Sequence, residues 1–147
     1  MSTTVEQMLK DKETSIVSID PEAAIPEAVD LMIRKNLGAL LVMKGEDLLG
    51  IISERDISRN LGVSNKLPRE FKVKDFMSEQ IVFVEPDHTL EECMGLMTKN
   101  RFRHLPVLEN RRKVIGVVSI GDAVKTLVSD KQFEIKQLER YIYGQGS

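Results

Sequence analysis

Cysteine is all but missing from this sequence: Cys93 stands alone among 147 residues. One thiol closes no internal disulfide, and with only His88 and His104 to join it no zinc-ligand spacing arises, so neither a disulfide framework nor a bound metal is expected. A surplus of one charge is missing too. The 21 basic and 23 acidic residues are interspersed, for a formal net charge of -2, and no whole-domain positive field draws the chain to nucleic acid. Long apolar runs are also absent. Runs such as Ala39 to Met43 and Val114 to Val118 are far shorter than the ~20 residues of a membrane span. The polar start Met1-Ser-Thr-Thr is no signal peptide. A soluble cytoplasmic protein with no membrane partner is expected. There is no P-loop, no metal-carboxylate cluster and no Ser, His, Asp or Cys, His set, so no constellation of residues predicts an enzyme.

What is present suffices for a core. Hydrophobic residues at 41% and charged residues at 30% are globular values, and 147 residues make one domain or two very small ones that share a core. The chain also repeats itself. Val5-Glu-Gln-Met-Leu returns as Val73-Lys-Asp-Phe-Met, and Ile16-Val-Ser-Ile-Asp-Pro21 as Ile81-Val-Phe-Val-Glu-Pro86, about 65 to 68 residues later. Ala28 to Asn36 matches Cys93 to Arg101, and Leu40-Leu-Val-Met matches Leu105-Pro-Val-Leu. The clearest pair is Gly50-Ile-Ile-Ser-Glu-Arg-Asp56 with Gly116-Val-Val-Ser-Ile-Gly-Asp122.

Each copy reads as strand, helix, strand, strand, helix. Ile16 to Ile19 is a short β-branched strand halted by Asp20-Pro21. Pro26 starts the next helix in copy one, and the spacing Thr89-Leu-Glu-Glu92 forms a capping box in copy two. Apolar residues at Ala28, Val29, Met32 and Ile33, and at Leu90, Cys93, Met94 and Met97, predict one buried helical face per copy. The strands Ala39 to Met43 and Leu48 to Ser53 form a hairpin across Lys44-Gly-Glu-Asp47. Copy two turns across Glu109-Asn-Arg-Arg-Lys113. A second helix follows each Asp, at Ile57 to Leu61 and at Ala123 to Val128. Met8, Met32, Met43, Met77, Met94 and Met97 are read as core, and Cys93 as packing. Residues 1–62 form repeat one, 63–72 a linker and 73–130 repeat two. Residues 131–147 form a C-terminal helix and tail, in which Phe133, Ile135, Leu138, Tyr141 and Ile142 make an apolar stripe and Gly144 ends the helix.

The two in-register copies of Gly-h-h-Ser-x-x-Asp, each preceded by the hairpin and helix, resemble the tandem cystathionine-β-synthase (CBS) domain pair, or Bateman module, from Val5 to about Val128. The resemblance implies an α/β (α+β) fold of two β-α-β-β-α repeats packed about a pseudo-two-fold axis. It also implies a regulatory module that binds adenosyl ligands (AMP, ADP, ATP, NAD or S-adenosylmethionine) in clefts between the copies, without a metal. Such pairs commonly dimerise into flat discs, so a homodimer is expected, with output through an effector protein or oligomer rearrangement.

Carried over residue by residue, Asp56 and Asp122 are the ribose groups, since a carboxylate accepts both hydrogen bonds of a 2′,3′-diol. Ser53 and Ser119 offer a hydroxyl to phosphate or sugar near a helix N-terminus, and Gly50 and Gly116 permit close backbone approach. Arg103 and His104 match phosphate-contacting positions, and Arg55 adds a cation beside Asp56 where Gly121 adds none beside Asp122. Ile16, Val17, Ile81 and Val82 match the adenine walls, with Gly38 and Ala39 at the strand entry. Copy one has Gly38 and Ala39 where copy two has Arg103 and His104, so by the resemblance the cleft using Asp56 has the basic side chains of copy two facing it, and that cleft is favoured for a phosphorylated ligand.

Other uses of the same residues stay open. An Asp opening a helix can serve only as its cap, Ser53 and Ser119 can close a strand end, and His104 can be a structural histidine. A nucleotide hydrolase using Asp56 or Asp122, and a nucleic-acid binder using Arg101, Arg103, Arg111, Arg112 and Lys113, are the competing functions.

Overall fold

A computed structural model describes residues 3–10 and 16–143; Gly144, expected to end the last helix, lies outside the described residues. The architecture is α+β with two repeats, in two compact units: residues 16–82, and residues 3–10 together with 83–143. In chain order the elements are α1 (Val5–Lys10), β1 (Ser18–Ile19), α2 (Ile25–Lys35), β2 (Ala39–Lys44), β3 (Asp47–Ser53) and α3 (Glu54–Gly62). A 3-10 turn (Pro68–Glu70) leads to α4 (Val73–Phe76), α5 (Leu90–Asn100), β4 (His104–Glu109), β5 (Lys113–Ser119) and α6 (Ile120–Tyr143).

In the unit of residues 16–82, β1 runs parallel to β2, with Ser18 opposite Leu41, and β2 runs antiparallel to β3. Leu40, Val42 and Ile52 turn one sheet face inward, against Ile25, Ala28 and Met32 of α2 and Ile57 of α3. The first strand is shorter than its β-branched letters suggested: Ile16 lies outside it, exposed. Helix α2 also buries a narrower stripe than expected. Ile25, Ala28 and Met32 lie along one line over the sheet, whereas Val29 and Ile33, a third of a turn away, face outward. The helix stops at Asn36, which takes the left-handed conformation (φ 54°) and returns its N–H to Met32 and Ile33.

The unit is closed by chain that the sequence repeat assigns to copy two. Val73 and Phe76 of α4 are buried in this core. The Val73 and Lys74 amides donate to the Ala23 and Pro21 carbonyls (2.8 and 3.0 Å). Ser78 adds a bridge to the free edge of β3, exchanging hydrogen bonds of 3.0 and 2.8 Å with Ile51.

The other unit shows the same crossing of repeat boundaries. Helix α1 buries Val5 and Met8 among elements of copy two, its Val5 amide donates to the His88 carbonyl (2.8 Å), and Leu9 packs on Gly116. Thr89 and Glu92 form the predicted capping box of α5. Strands β4 and β5 pair antiparallel, with the same bulge position as in β2 and β3. The expected strand at Ile81 to Val84 reduces to one parallel bridge, Val84 with Val107.

The second helices begin earlier than expected, at Glu54 and Ile120. Residues 120 to 143 form one continuous α6 in place of two helices, since neither Ser129 nor Asp130 breaks a helix and no Pro or Gly lies between Asp122 and Tyr143. Asp130 is also tied back by the Thr3 hydroxyl, which donates to it at 2.8 Å. Of the methionines read as core, Met8, Met32 and Met97 are buried and Met43, Met77 and Met94 half-buried. Among the described residues no helix is long and apolar enough to cross a membrane.

One ion-pair cluster ties α4 to the chain entering α2. Lys72 and Lys74 both donate to the Glu22 carboxylate, at 2.6 and 2.8 Å, and hold its pKa down at about 2, from 4.5. A depressed carboxylate pKa stabilises the fold above its unfolded value and loses that contribution as pH falls through the folded one. The melting-temperature gap between wild type and Glu22→Gln is therefore expected to be constant above about pH 5 and to close between 4.5 and about 2. The cluster is half exposed, so high salt is expected to shrink the gap at neutral pH.

Candidate functional site

The two Ser-x-x-Asp segments form the same structure in both units. Ser53 is the N-cap of α3, in extended conformation, and Asp56 is the third residue of the helix. The Asp56 amide donates to the Ser53 hydroxyl oxygen (3.2 Å). Asp56 Oδ2 in turn accepts from the Ser53 amide and hydroxyl (2.9 Å each). In the other unit the Asp122 amide donates to Ser119 Oγ (3.1 Å) and Asp122 Oδ2 accepts from the Ser119 amide (3.0 Å). These are capping boxes, in which Ser and an acid three residues on satisfy each other's backbone donors. Ser, not Asp, is the cap. Asp56 engages both partners through Oδ2, and its Oδ1 makes no hydrogen bond among the described residues.

Each box sits against the entry of the preceding strand. Ala39 lies opposite Ser53, and His104 opposite Ser119. The first helical amides bond back to that entry: Glu54 to the Gly38 carbonyl (3.0 Å) and Ile120 to the Arg103 carbonyl (2.8 Å). One turn into each helix a side chain grips the carbonyl of the same Asp. Asn60 Nδ2 donates to the Asp56 oxygen (2.6 Å), and Thr126 Oγ1 to that of Asp122 (2.9 Å). These two holders were missed because Asn60 and Thr126 read only as members of the second helices. Their shared position four residues after each Asp is the signal that would have found them.

The fold sorts the predicted site residues by unit. Ile16, Val17, Gly38, Ala39, Ser53, Arg55, Asp56, Ile81 and Val82 belong to the unit of residues 16–82, and Arg103, His104, Ser119 and Asp122 to the other. Within a unit, then, the basic pair stands beside Ser119 and Asp122. Arg55 and Arg103 are exposed and His104 is half-buried. Val17 packs on the core of its unit, and Ile81 and Val82 are half-buried on chain outside any strand.

The glycines of the motif have a different reason from the one expected. A Cβ on Gly50 would lie 2.6 Å from the Ser78 carbonyl oxygen, and one on Gly116 would lie 2.8 Å from Leu9 Cδ2. The close approach that they permit is that of the chain itself. Cys93 is buried, and burial pushes its thiol up to about 11, so it packs and does not react. Among the described residues no group of His, Cys, Asp and Glu could hold a metal ion.

A family model described as "CBS domain" matches residues 5–62 and again 73–129. The CBS domain-containing protein CBSX3, mitochondrial, of Arabidopsis thaliana is 38% identical over 152 residues, covering 97% of this chain and 73% of that protein. A solved structure of a CBS domain protein, NE2398, is similar with a TM-score of 0.82 at 44% identity, over 86% of this chain and 98% of that one. The structure of CBSX2 in complex with AMP shares the fold at a TM-score of 0.70 and 22% identity, over 88% and 98% of the two chains. With both repeats matched, over most of its length, the chain belongs to the CBS domain family and carries two copies of the domain.

Proposed function

We propose that this chain is a regulatory module that binds an adenosyl ligand of the AMP, ADP, ATP, NAD or S-adenosylmethionine class, and that it is not an enzyme. The observation that carries the reading is the paired capping box: in each unit a carboxylate, a serine and the amides of a helix start are held together at a strand entry. A helix start favours anionic groups through its free N–H groups and dipole. A carboxylate fixed beside it accepts from the two hydroxyls of a ribose, and at Asp56 one oxygen remains for that purpose. Two relatives of the same fold support the class of ligand. CBSX2 was solved with AMP, and the CBS domain pair of MJ0100, at 23% identity and a TM-score of 0.73, with 5′-methylthioadenosine and S-adenosyl-L-methionine.

Asp56 and Asp122 are the ribose acceptors in this reading, with Ser53 and Ser119 beside them. Arg103 and His104 flank Ser119 in their own unit, so the Asp122 site takes the phosphorylated ligand. The Asp56 site shares its unit with Ile16, Val17, Gly38, Ala39, Ile81 and Val82, which suit the adenine and a less charged adenosyl group; Arg55 gives it one cation. The resemblance, which sets the basic residues of copy two facing the Asp56 cleft, implies the opposite preference, and the Asp56→Asn and Asp122→Asn variants distinguish the readings. The signal passes to an effector protein or through a rearranged oligomer, because a ligand shifts only an equilibrium whose states it binds differently.

Thermal melting against AMP, ADP, ATP, NAD and S-adenosylmethionine tests the proposal. A ligand at about a hundred times its dissociation constant is expected to add roughly 2.7 kcal/mol of stability. No shift with any of the five would sink it. Release of ADP or AMP from ATP and magnesium would instead favour the hydrolase.

A further inference from the structure

Two short helices close the two units through the same backbone contacts. In the unit of residues 16–82 the Val73 and Lys74 amides of α4 donate to the Ala23 and Pro21 carbonyls, and the Ile25 amide donates to the Phe71 carbonyl just ahead of α4 (3.1 Å). In the other unit the Val5 and Glu6 amides of α1 donate to the His88 and Pro86 carbonyls (2.8 and 2.9 Å), and the Leu90 amide to the Thr3 carbonyl (2.8 Å). The bridges of Ala24 with Lys72 and of Thr89 with Thr4 complete the match. With the backbone contacts equal, the side chains decide how firmly each helix is held.

They differ in two ways. At α4, Phe71 and Phe76 pack ring against ring, 4.8 Å between centroids, and Val73 and Phe76 are buried. Thr3 and Met8 stand in the places of those two rings at α1, so α1 buries Val5 and Met8 and no aromatic group. Lys72 and Lys74 also clamp Glu22 at the start of α4. In the matching places α1 has Thr4 and Glu6 and the turn has Asp87, so an acid stands with an acid where the other unit pairs lysine with glutamate. Glu6 reaches only Lys10 of its own helix, at 3.8 Å. Among the described residues one side-chain bond ties residues 3–10 to the rest of their unit: the Thr3 hydroxyl donates to Asp130 of α6.

We propose that α1 is a releasable strap, which leaves and rejoins its unit while the rest stays folded, with the Thr3 to Asp130 bond as its latch. Segments that move in this way come from the least stable part of a fold, and α1 is the less firmly held of two helices that are otherwise docked alike. What the strap covers is specific. Leu9 packs on Gly116 of β5, three residues ahead of Ser119, so release bares the flank of the strand that carries the Ser119 and Asp122 box. The strand ahead of Ser53 stays covered, because Ser78, after α4, is bonded to Ile51. The strap needs no ligand, and it stands or falls independently of the nucleotide reading.

Native-state hydrogen exchange, read by NMR at several low urea concentrations, tests it, because local opening lacks the urea dependence of global unfolding. The Val5 and Glu6 amides are expected to be protected about tenfold less than those of Val73 and Lys74, and to exchange almost independently of urea. Thr3→Val keeps the side-chain shape without the hydroxyl, and is expected to speed exchange in α1 several-fold while leaving α4 unchanged. Glu6→Lys with Asp87→Glu, both at exposed positions, transplants the pair of Lys74 with Glu22 and is expected to slow exchange in α1 several-fold. Equal protection of α1 and α4, or α1 amides that exchange only with global unfolding, overturns the proposal. So does an α1 whose exchange neither variant changes.

Discussion

Replacing Gly50 with valine is expected to destabilise the unit of residues 16–82 by about 3 kcal/mol, from overpacking and the loss of two backbone hydrogen bonds. The first atom of the new side chain would lie 2.6 Å from the Ser78 carbonyl oxygen. That oxygen cannot retreat without breaking the reciprocal Ile51 and Ser78 bonds, which hold the segment after α4 on the edge of β3. The twin glycine makes the control. Gly116→Ala meets only the end of the Leu9 side chain, at 2.8 Å, and a rotamer change there is expected to limit the cost to about 1 kcal/mol. Gly95 lies inside α5 with nothing within 4 Å of its added Cβ, so Gly95→Ala is expected to stabilise by roughly 0.5 to 1 kcal/mol. Urea unfolding of the three variants measures the series. Equal losses at Gly50 and Gly116 would refute the backbone contact as the cause.

Asp122→Asn and Asp56→Asn are expected to weaken adenosyl-ligand binding by about tenfold to a hundredfold, the range for losing a hydrogen bond to a charged group. Their stability should fall by only about 0.5 kcal/mol, because a carboxamide oxygen still accepts from the serine amide and only the charge at the helix start is lost. Alanine at either position removes both functions and cannot tell them apart. Isothermal titration with whichever nucleotide raises the melting temperature, paired with urea unfolding, reads the two effects separately. Undiminished binding in both asparagine variants would mean that these carboxylates cap helices and do nothing else. The order of the losses also tests the sites: for a phosphorylated ligand, Asp122→Asn should cost more than Asp56→Asn, since Arg103 and His104 stand beside Ser119.

Much of the local structure was legible in the letters. The hairpins, the capping box at Thr89 and the Pro26 start of α2 are encoded within a few consecutive residues, and each formed as read. The pairing of Ser53 with Asp56 and of Ser119 with Asp122 was legible as a repeat, but not as a capping box. The letters allowed either residue to be the cap, and only the hydrogen bonds distinguish them. Val29 and Ile33 show the limit of periodicity. A pattern states which residues share a helical face, and the line of contact with the sheet decides how many of them it covers.

The repeat, its motif and the family are properties of the sequence by itself, because self-similarity and local hydrogen-bonding patterns need no knowledge of what packs where. Tertiary structure alone decided that α1 packs with the strands of copy two and α4 with those of copy one, and that Gly50 makes room for Ser78. It also left the stripe of α6 uncovered. The reason is common to all of these. An apolar face or an unpaired strand edge must be covered, but several segments of one chain can cover it equally well in composition. The choice is made by contacts between residues far apart in sequence.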